Sequence, residues 1–148
     1  MRRLILAGLA VLAAAGIAFA VAEPGHAAAG TTVKTTHGKL GTFLVGPKGR
    51  TLYLFEADKT TKSTCYNACA TAWPPLLTSG KPKAAGKTKA SLLGTTKRKD
   101  GKTQVTYKGH PLYYFIQDKK AGDTNGQDVN GFGARWYVVA PSGKKIGD

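Results

Sequence analysis

Nucleophilic catalysis has little to use in this chain. Its serines stand only at 63, 79, 91 and 142, none in the Gly-x-Ser-x-Gly turn that exposes a nucleophile, and His37 and His110 have no evident partner. Cysteine is confined to Cys65 and Cys69. With none earlier in the chain, the acylated cysteine that tethers a lipid-anchored protein is missing from the leader, so release, or retention by charge, has to replace a lipid. Acidic side chains are scarce as well, 8 Asp and Glu against 22 Lys and Arg, for a formal charge of +14.

What is present begins with an export signal. Arg2 and Arg3 precede an apolar run from Leu4 to Ala22, and small-residue sites follow at Ala18-Phe19-Ala20 and Ala27-Ala28-Ala29. This order predicts a signal peptide over residues 1–29, with cleavage after Ala29 preferred over Ala20 because it leaves a polar start at Gly30. An uncut anchor is the alternative, since the apolar run approaches the roughly 20 residues that span a bilayer. Without residues 1–29, which hold Arg2, Arg3 and Glu23, 119 residues remain, with 20 Lys and Arg against 7 Asp and Glu. That is one small domain of strongly cationic character, attracted to polyanions. Outside a cell the matching partners are an anionic cell-wall polymer or an acidic membrane surface rather than a specific nucleic acid. A charge that serves solubility alone is the equal alternative.

Residues 30–40 are polar, rich in Thr and Lys and without periodicity, which predicts a flexible lead-in. An internal duplication follows. Aligning Gly41–Lys59 with Gly101–Lys119 without a gap gives nine identities in 19 positions, among them Val45/Val105, Tyr53/Tyr113, Phe55/Phe115 and Asp58/Asp118. Each copy reads as a β-hairpin: Thr42–Gly46 and Arg50–Glu56 about Gly46-Pro47-Lys48-Gly49, and Thr103–Tyr107 and Pro111–Ile116 about Lys108-Gly109. Period two places Tyr53 and Phe55 opposite Leu52 and Leu54, and Tyr113 and Phe115 opposite Leu112, Tyr114 and Ile116. Strands apolar on both faces are covered on both sides, so these two belong at the centre. Trp73 and Trp136 follow as returning segments that pack on the hairpins. Trp136-Tyr137-Val138-Val139 reads as a strand, whereas Trp73-Pro74-Pro75-Leu76 reads as an extended, polyproline-like path. The expected fold is mainly β with little helix: one domain over 41–148 made of repeats at 41–79 and 100–143. A basic linker, residues 80–99, joins them, with a short turn or strand near Ala90–Thr95.

Tyr53-Leu54-Phe55-Glu56-Ala57-Asp58 and Tyr113-Tyr114-Phe115-Ile116-Gln117-Asp118 both fit a Y-x-[FWY]-x-x-D pattern. The chain therefore resembles a family of bacterial secreted repeat proteins and lipoproteins that carries this motif. Cys65-Tyr66-Asn67-Ala68-Cys69-Ala70-Thr71-Ala72-Trp73-Pro74-Pro75-Leu76 and the stretch from Asp100 to Tyr113 resemble it too. The resemblance covers nearly all of the chain beyond the leader. It implies an exported protein of unknown function, and this sequence departs from the lipoprotein members in having no lipid-attachment cysteine.

Each candidate site has a structural alternative. Asp58 and Asp118 follow central strands, where a carboxylate accepts hydrogen bonds from turn amides; the functional alternative pairs them about a pseudo-twofold axis as an acid/base or metal couple. Tyr53, Phe55, Tyr113, Phe115, Trp73 and Trp136 are core packing first and an aromatic ligand cleft second. Asp123, Asn125 and Asp128 give the loop after Asp118 a calcium-like, oxygen-rich composition, but Gln127 and Asp128 break the EF-hand spacing. In an oxidising compartment Cys65 and Cys69 read as a disulfide across three intervening residues. A copper or thiol-redox protein using that pair, with His37 or His110, is the alternative. The sequence thus predicts a secreted or envelope-associated, non-enzymatic domain that binds an anionic envelope component and needs no cofactor.

Overall fold

The computed structural model describes residues 16–17 and 30–147. The cleavage sites and nearly all of the export signal lie outside the described residues. The elements are β1 (Thr32–Gly38), β2 (Gly41–Val45), β3 (Tyr53–Phe55), α1 (Ala68–Ala72), β4 (Lys83–Ala84), β5 (Leu93–Lys97), β6 (Thr103–Tyr107), β7 (His110–Pro111), β8 (Asn130–Gly131) and β9 (Ala134–Val138). They form three small sheets in the orders β2-β1-β4, β3-β9-β8 and β5-β6-β7, so the fold is mainly β and contains two repeats, as the sequence predicts.

Two assignments need correction. Residues 32–38, expected within a flexible lead-in, form β1, which pairs antiparallel with β2 and parallel with β4 and buries Val33 completely. Residues 83–84, expected within a solvated linker, form β4; the short turn or strand expected near Ala90–Thr95 is β5, which extends to Lys97 and is the antiparallel partner of β6. Both strands carry Thr and Lys on an outward face, so they show almost no apolar alternation. Val33 in β1 and Leu93 in β5 alone contribute apolar contact with the core, and ladder bonds hold the rest of each strand.

The duplication is confirmed, with a slip of one residue inside it. The β1–β2 ladder runs from Lys34↔Val45 to Gly38↔Gly41, and the β5–β6 ladder places Gly94 opposite Thr106 and Thr95 opposite Val105. Val45 is therefore matched by Thr106, and Val105 by Leu44. Leu52 donates its amide to the carbonyl of Leu44, and Leu112 donates its amide to that of Val105. Val45 and Val105, which the gap-free alignment makes equivalent, are both buried but belong to different core clusters. The cause is Pro47, an extra residue in the first turn. Tyr107 and His110 close directly on Lys108-Gly109, whereas Gly46 and Arg50 enclose Pro47 as well as Lys48-Gly49. In both turns the Lys-Gly pair has positive φ, which glycine adopts without penalty.

The central strands meet. Tyr53 and Tyr113 exchange backbone hydrogen bonds with each other, N to O at 2.8 and 3.0 Å, at the centre of a pseudo-twofold arrangement. On the outer side, β3 pairs with β9, matching Leu54 to Tyr137 and Phe55 to Trp136. The second copy repeats this with Trp73–Leu76: Tyr114 and Ile116 donate to the carbonyls of Pro74 and Ala72, and Pro75 bridges Tyr113. Pro74 and Pro75 have no amide to return, so an isolated bridge stands where the first copy has a regular ladder. The segment also stops α1, since a residue before proline is pushed out of the helical region; Trp73 has φ −125° and ψ 77°.

Both faces of the central strands are covered. Tyr53, Phe55, Tyr113 and Phe115 enter an aromatic cluster with Trp73 and Trp136, while Leu52, Leu54 and Leu112 enter an aliphatic one with Val33, Leu44, Leu76, Val105 and Val139. Tyr114 packs at the edge of the second cluster. Ile116, at the strand's end, stays exposed.

Candidate functional site

The repeat motif makes contacts that cross between repeats. The Tyr53 hydroxyl donates to Asp118 Oδ2 at 2.6 Å, and the Tyr113 hydroxyl donates to Asp58 Oδ2, also at 2.6 Å. Each aspartate thus serves the other copy's tyrosine. The second carboxylate oxygen holds a local turn: Asp58 Oδ1 accepts from the amide and hydroxyl of Thr64, and Asp118 Oδ1 accepts from the amide of Asn125. The motif aspartates are therefore buried anchors for loops and for the partner repeat. Burial pushes the Asp118 carboxyl above its ordinary value, against the pull of the bond from Tyr53. Burial and the facing carboxylate push both tyrosine hydroxyls well up.

The aromatic rings are exchanged in the same way. Phe55 stacks on Trp136 at 4.0 Å, Trp136 on Trp73 at 4.0 Å, and Trp73 on Phe115 at 4.1 Å, giving four rings in one column. Each tryptophan thus lies on the other repeat's phenylalanine. Tyr53 meets Trp73 edge-on, and Tyr113 meets Trp136 edge-on. All six rings lie in the core and leave no aromatic cleft.

Cys65 and Cys69 form a disulfide beside this column, and Cys65 is fully buried. Sequence reasoning missed the group beneath it. Arg98, only 3% exposed, donates to the Cys65 carbonyl at 2.8 Å, to Gln104 Oε1 at 2.8 Å and to Ser63 Oγ at 2.9 Å. Ser63 Oγ in turn donates to the Tyr113 hydroxyl oxygen at 2.7 Å, since the one Tyr113 proton goes to Asp58. A buried cation is thereby linked through two hydroxyls to the Asp58 carboxylate and paired directly with Asp100 Oδ2 at 3.3 Å, which together offset part of its desolvation. In the first copy Gly38 and Phe43 occupy the places of Arg98 and Gln104, so repeat matching offers no signal for the pair.

The calcium-like residues do not converge. Asp123 Oδ2 accepts the amides of Lys119 and Lys120, Asn125 Nδ2 donates to the Gln117 carbonyl, and Asp128 pairs with Arg135 at 3.1 Å. Among the described residues no three His, Cys, Asp or Glu side chains are grouped to hold a metal ion.

One open cleft, about 580 Å³, lies where the repeats and the C-terminal segment meet. Its walls carry Glu56 and Lys59 from the end of the first central strand, Lys108 and His110 from the second turn, and Lys144 and Lys145. Lys145 pairs with Glu56 at 2.8 Å. Lys59, Lys108 and Lys144 are exposed, and none takes part in an ion pair among the described residues. The stem of Lys108 lies so close over Gly143 that a Cβ there would come within 2.6 Å of it.

The matching place in the other repeat is closed. Arg50, in the position of His110, donates to the Phe115 carbonyl at 3.2 Å and lies 4.4 Å over the Tyr114 ring. The Ala121-Gly122 segment seals it further, with the Gly122 amide donating to the Gly49 carbonyl at 3.0 Å. Histidine in place of arginine leaves the second cleft unfilled.

A family described as a secreted repeat of unknown function matches residues 34–77 and 94–140. The chain belongs to this family. The two matches begin within β1 and β5, so the secreted repeat takes in the strands that the sequence alone left outside, and an extracytoplasmic location follows from the family's description. No curated protein and no solved structure matches the chain.

Proposed function

We propose that this secreted repeat protein is a non-enzymatic binding module whose cleft holds the anionic groups of a cell-envelope polymer. The observation that carries the reading is the cleft itself, where Lys59, Lys108 and Lys144 line one concavity without ion-pair partners among the described residues while the sister position is filled by Arg50. Converging cations around a concave surface raise the local concentration of a polyanion far more than the same charges dispersed over a convex one. Against the copper or redox alternative stands the closed disulfide, whose Cys65 is fully buried and hard for an attacking thiolate or a metal to reach.

The test is retention on immobilised poly(glycerol phosphate) over a salt series. Three proteins are compared: the wild type, a Lys59→Ala/Lys108→Ala/Lys144→Ala variant, and a variant with Lys81, Lys83, Lys87 and Lys89 changed to Ala. Exposed charges are screened over about 8 Å at physiological ionic strength, so wild-type retention falls steeply with salt. The cleft variant loses most of it and the other variant keeps most. Retention indifferent to the cleft lysines overturns the assignment.

A further inference from the structure

We infer that His110 makes the cleft a titrating anion site, one that binds its polymer more tightly as the surroundings acidify; this rests on the binding reading above. The imidazole is half-buried in the cleft wall, at the position where the sister site carries the permanent cation Arg50. The second site has thus exchanged a fixed charge that fills its own cleft for a smaller, switchable one that leaves room for a ligand.

The charged groups around His110 are known. Asp58 and Glu56 face it from the segment after β3, with Lys59 beside them; Lys108 precedes it in its own turn; Lys144 and Lys145 close the far side. Asp58 is already engaged by Tyr113 and Thr64, and Glu56 by Lys145, so neither acid is left without a partner. Burial and then Lys108 hold the imidazole below its ordinary value, against the pull of the Asp58 carboxylate. An anion in the cleft reverses that balance, because it favours the imidazolium. Binding then takes up a proton, and affinity rises as pH falls through the bound-state value.

The experiment is calorimetric titration with a short poly(glycerol phosphate) at about pH 8 and about pH 5.5, at one low ionic strength. The probe's phosphodiesters gain no proton in this range. Wild type, His110→Gln and His110→Arg are compared, with near-ultraviolet circular dichroism of the stacked tryptophans confirming each fold. A shift of about one unit in the imidazole on binding corresponds to about tenfold, so the wild type binds about three- to tenfold more tightly at the lower pH. His110→Gln binds equally at both. His110→Arg binds weakly at both despite its added charge, because an arginine there reaches the Phe55 carbonyl as Arg50 reaches that of Phe115. Equal wild-type affinity at the two pH values, or a pH dependence that survives His110→Gln, overturns the titration while leaving the binding module standing. No wild-type binding at either pH overturns both.

Discussion

Tyr53 and Tyr113 each place a hydroxyl against a carboxylate of the other repeat, deep enough that neither can ionise in the folded state at moderate alkaline pH. The sign of the consequence follows from linkage. A group whose folded value is raised contributes stability that is fully present below its unfolded value, about 10 for tyrosine, and loses it as pH rises beyond that point. Asp118, also raised, acts in the same direction in a lower window that starts near the ordinary carboxylate value of about 3.9. The protein is therefore expected to lose stability only as pH rises above about 10, with Tyr53 and Tyr113 ionising on unfolding. Phenolate absorbance followed alongside far-ultraviolet circular dichroism checks this. Tyr53→Phe and Tyr113→Phe each flatten the alkaline decline and cost about 1–3 kcal/mol at neutral pH, since each leaves a buried carboxylate short of a donor. Separate ionisation of all tyrosines before any loss of structure would refute it.

At the level of elements, the turn containing Pro47 separates two registers. Removing Pro47 leaves Gly46-Lys48-Gly49-Arg50, the counterpart of Tyr107-Lys108-Gly109-His110, which already closes as a two-residue hairpin. The deletion is expected to fold, with a loss under about 2 kcal/mol in urea unfolding, because the surrounding ladders need no shift. Loss of cooperative unfolding would show that Pro47 does more than lengthen the turn. The same turn shows what the sequence could reveal. Tyr53, Phe55, Tyr113 and Phe115 announced two central strands through alternation and identity, and the tryptophans announced the returning segments. Val45 and Val105 misled, because a gap-free alignment cannot register an insertion in one loop offset by a deletion in another. β1 was hidden because Thr and Lys carry a ladder without carrying a pattern, and for the same reason β5 showed only as a short turn or strand near Ala90–Thr95. Arg98 and the cleft were hidden for a different reason: partners such as Ser63 and Cys65 are distant in sequence, and a concavity between two repeats and a C-terminal segment leaves no local trace.

For the whole molecule, the exchange of rings and hydroxyls makes each repeat incomplete alone. Trp73 needs Phe115 and Trp136 needs Phe55, while the tryptophans need each other. Fragments 30–85 and 86–148 are therefore expected to lack cooperative unfolding and near-ultraviolet ellipticity when separate. When mixed, they regain the coupled signal of the stacked tryptophans. A fragment that folds by itself would contradict the exchange. The mixed sample also reports how much the connection between the repeats contributes, through the concentration at which half the signal returns.

Tyr53 touches Asp118 and Tyr113 touches Asp58; Tyr53 and Tyr113 touch each other. In a symmetric homodimer this is the mark of a self-complementary interface, where residue i of one subunit meets j of the other and j meets i. The chain has the form of a dimer whose two subunits have been fused in tandem. Fusion replaces an encounter between molecules by one within a molecule, so the assembled state no longer depends on dilution, a useful property for a protein outside the cytoplasm. It also frees the halves from identity: one could keep Arg50 and a closed surface while the other, with His110, opened a cleft.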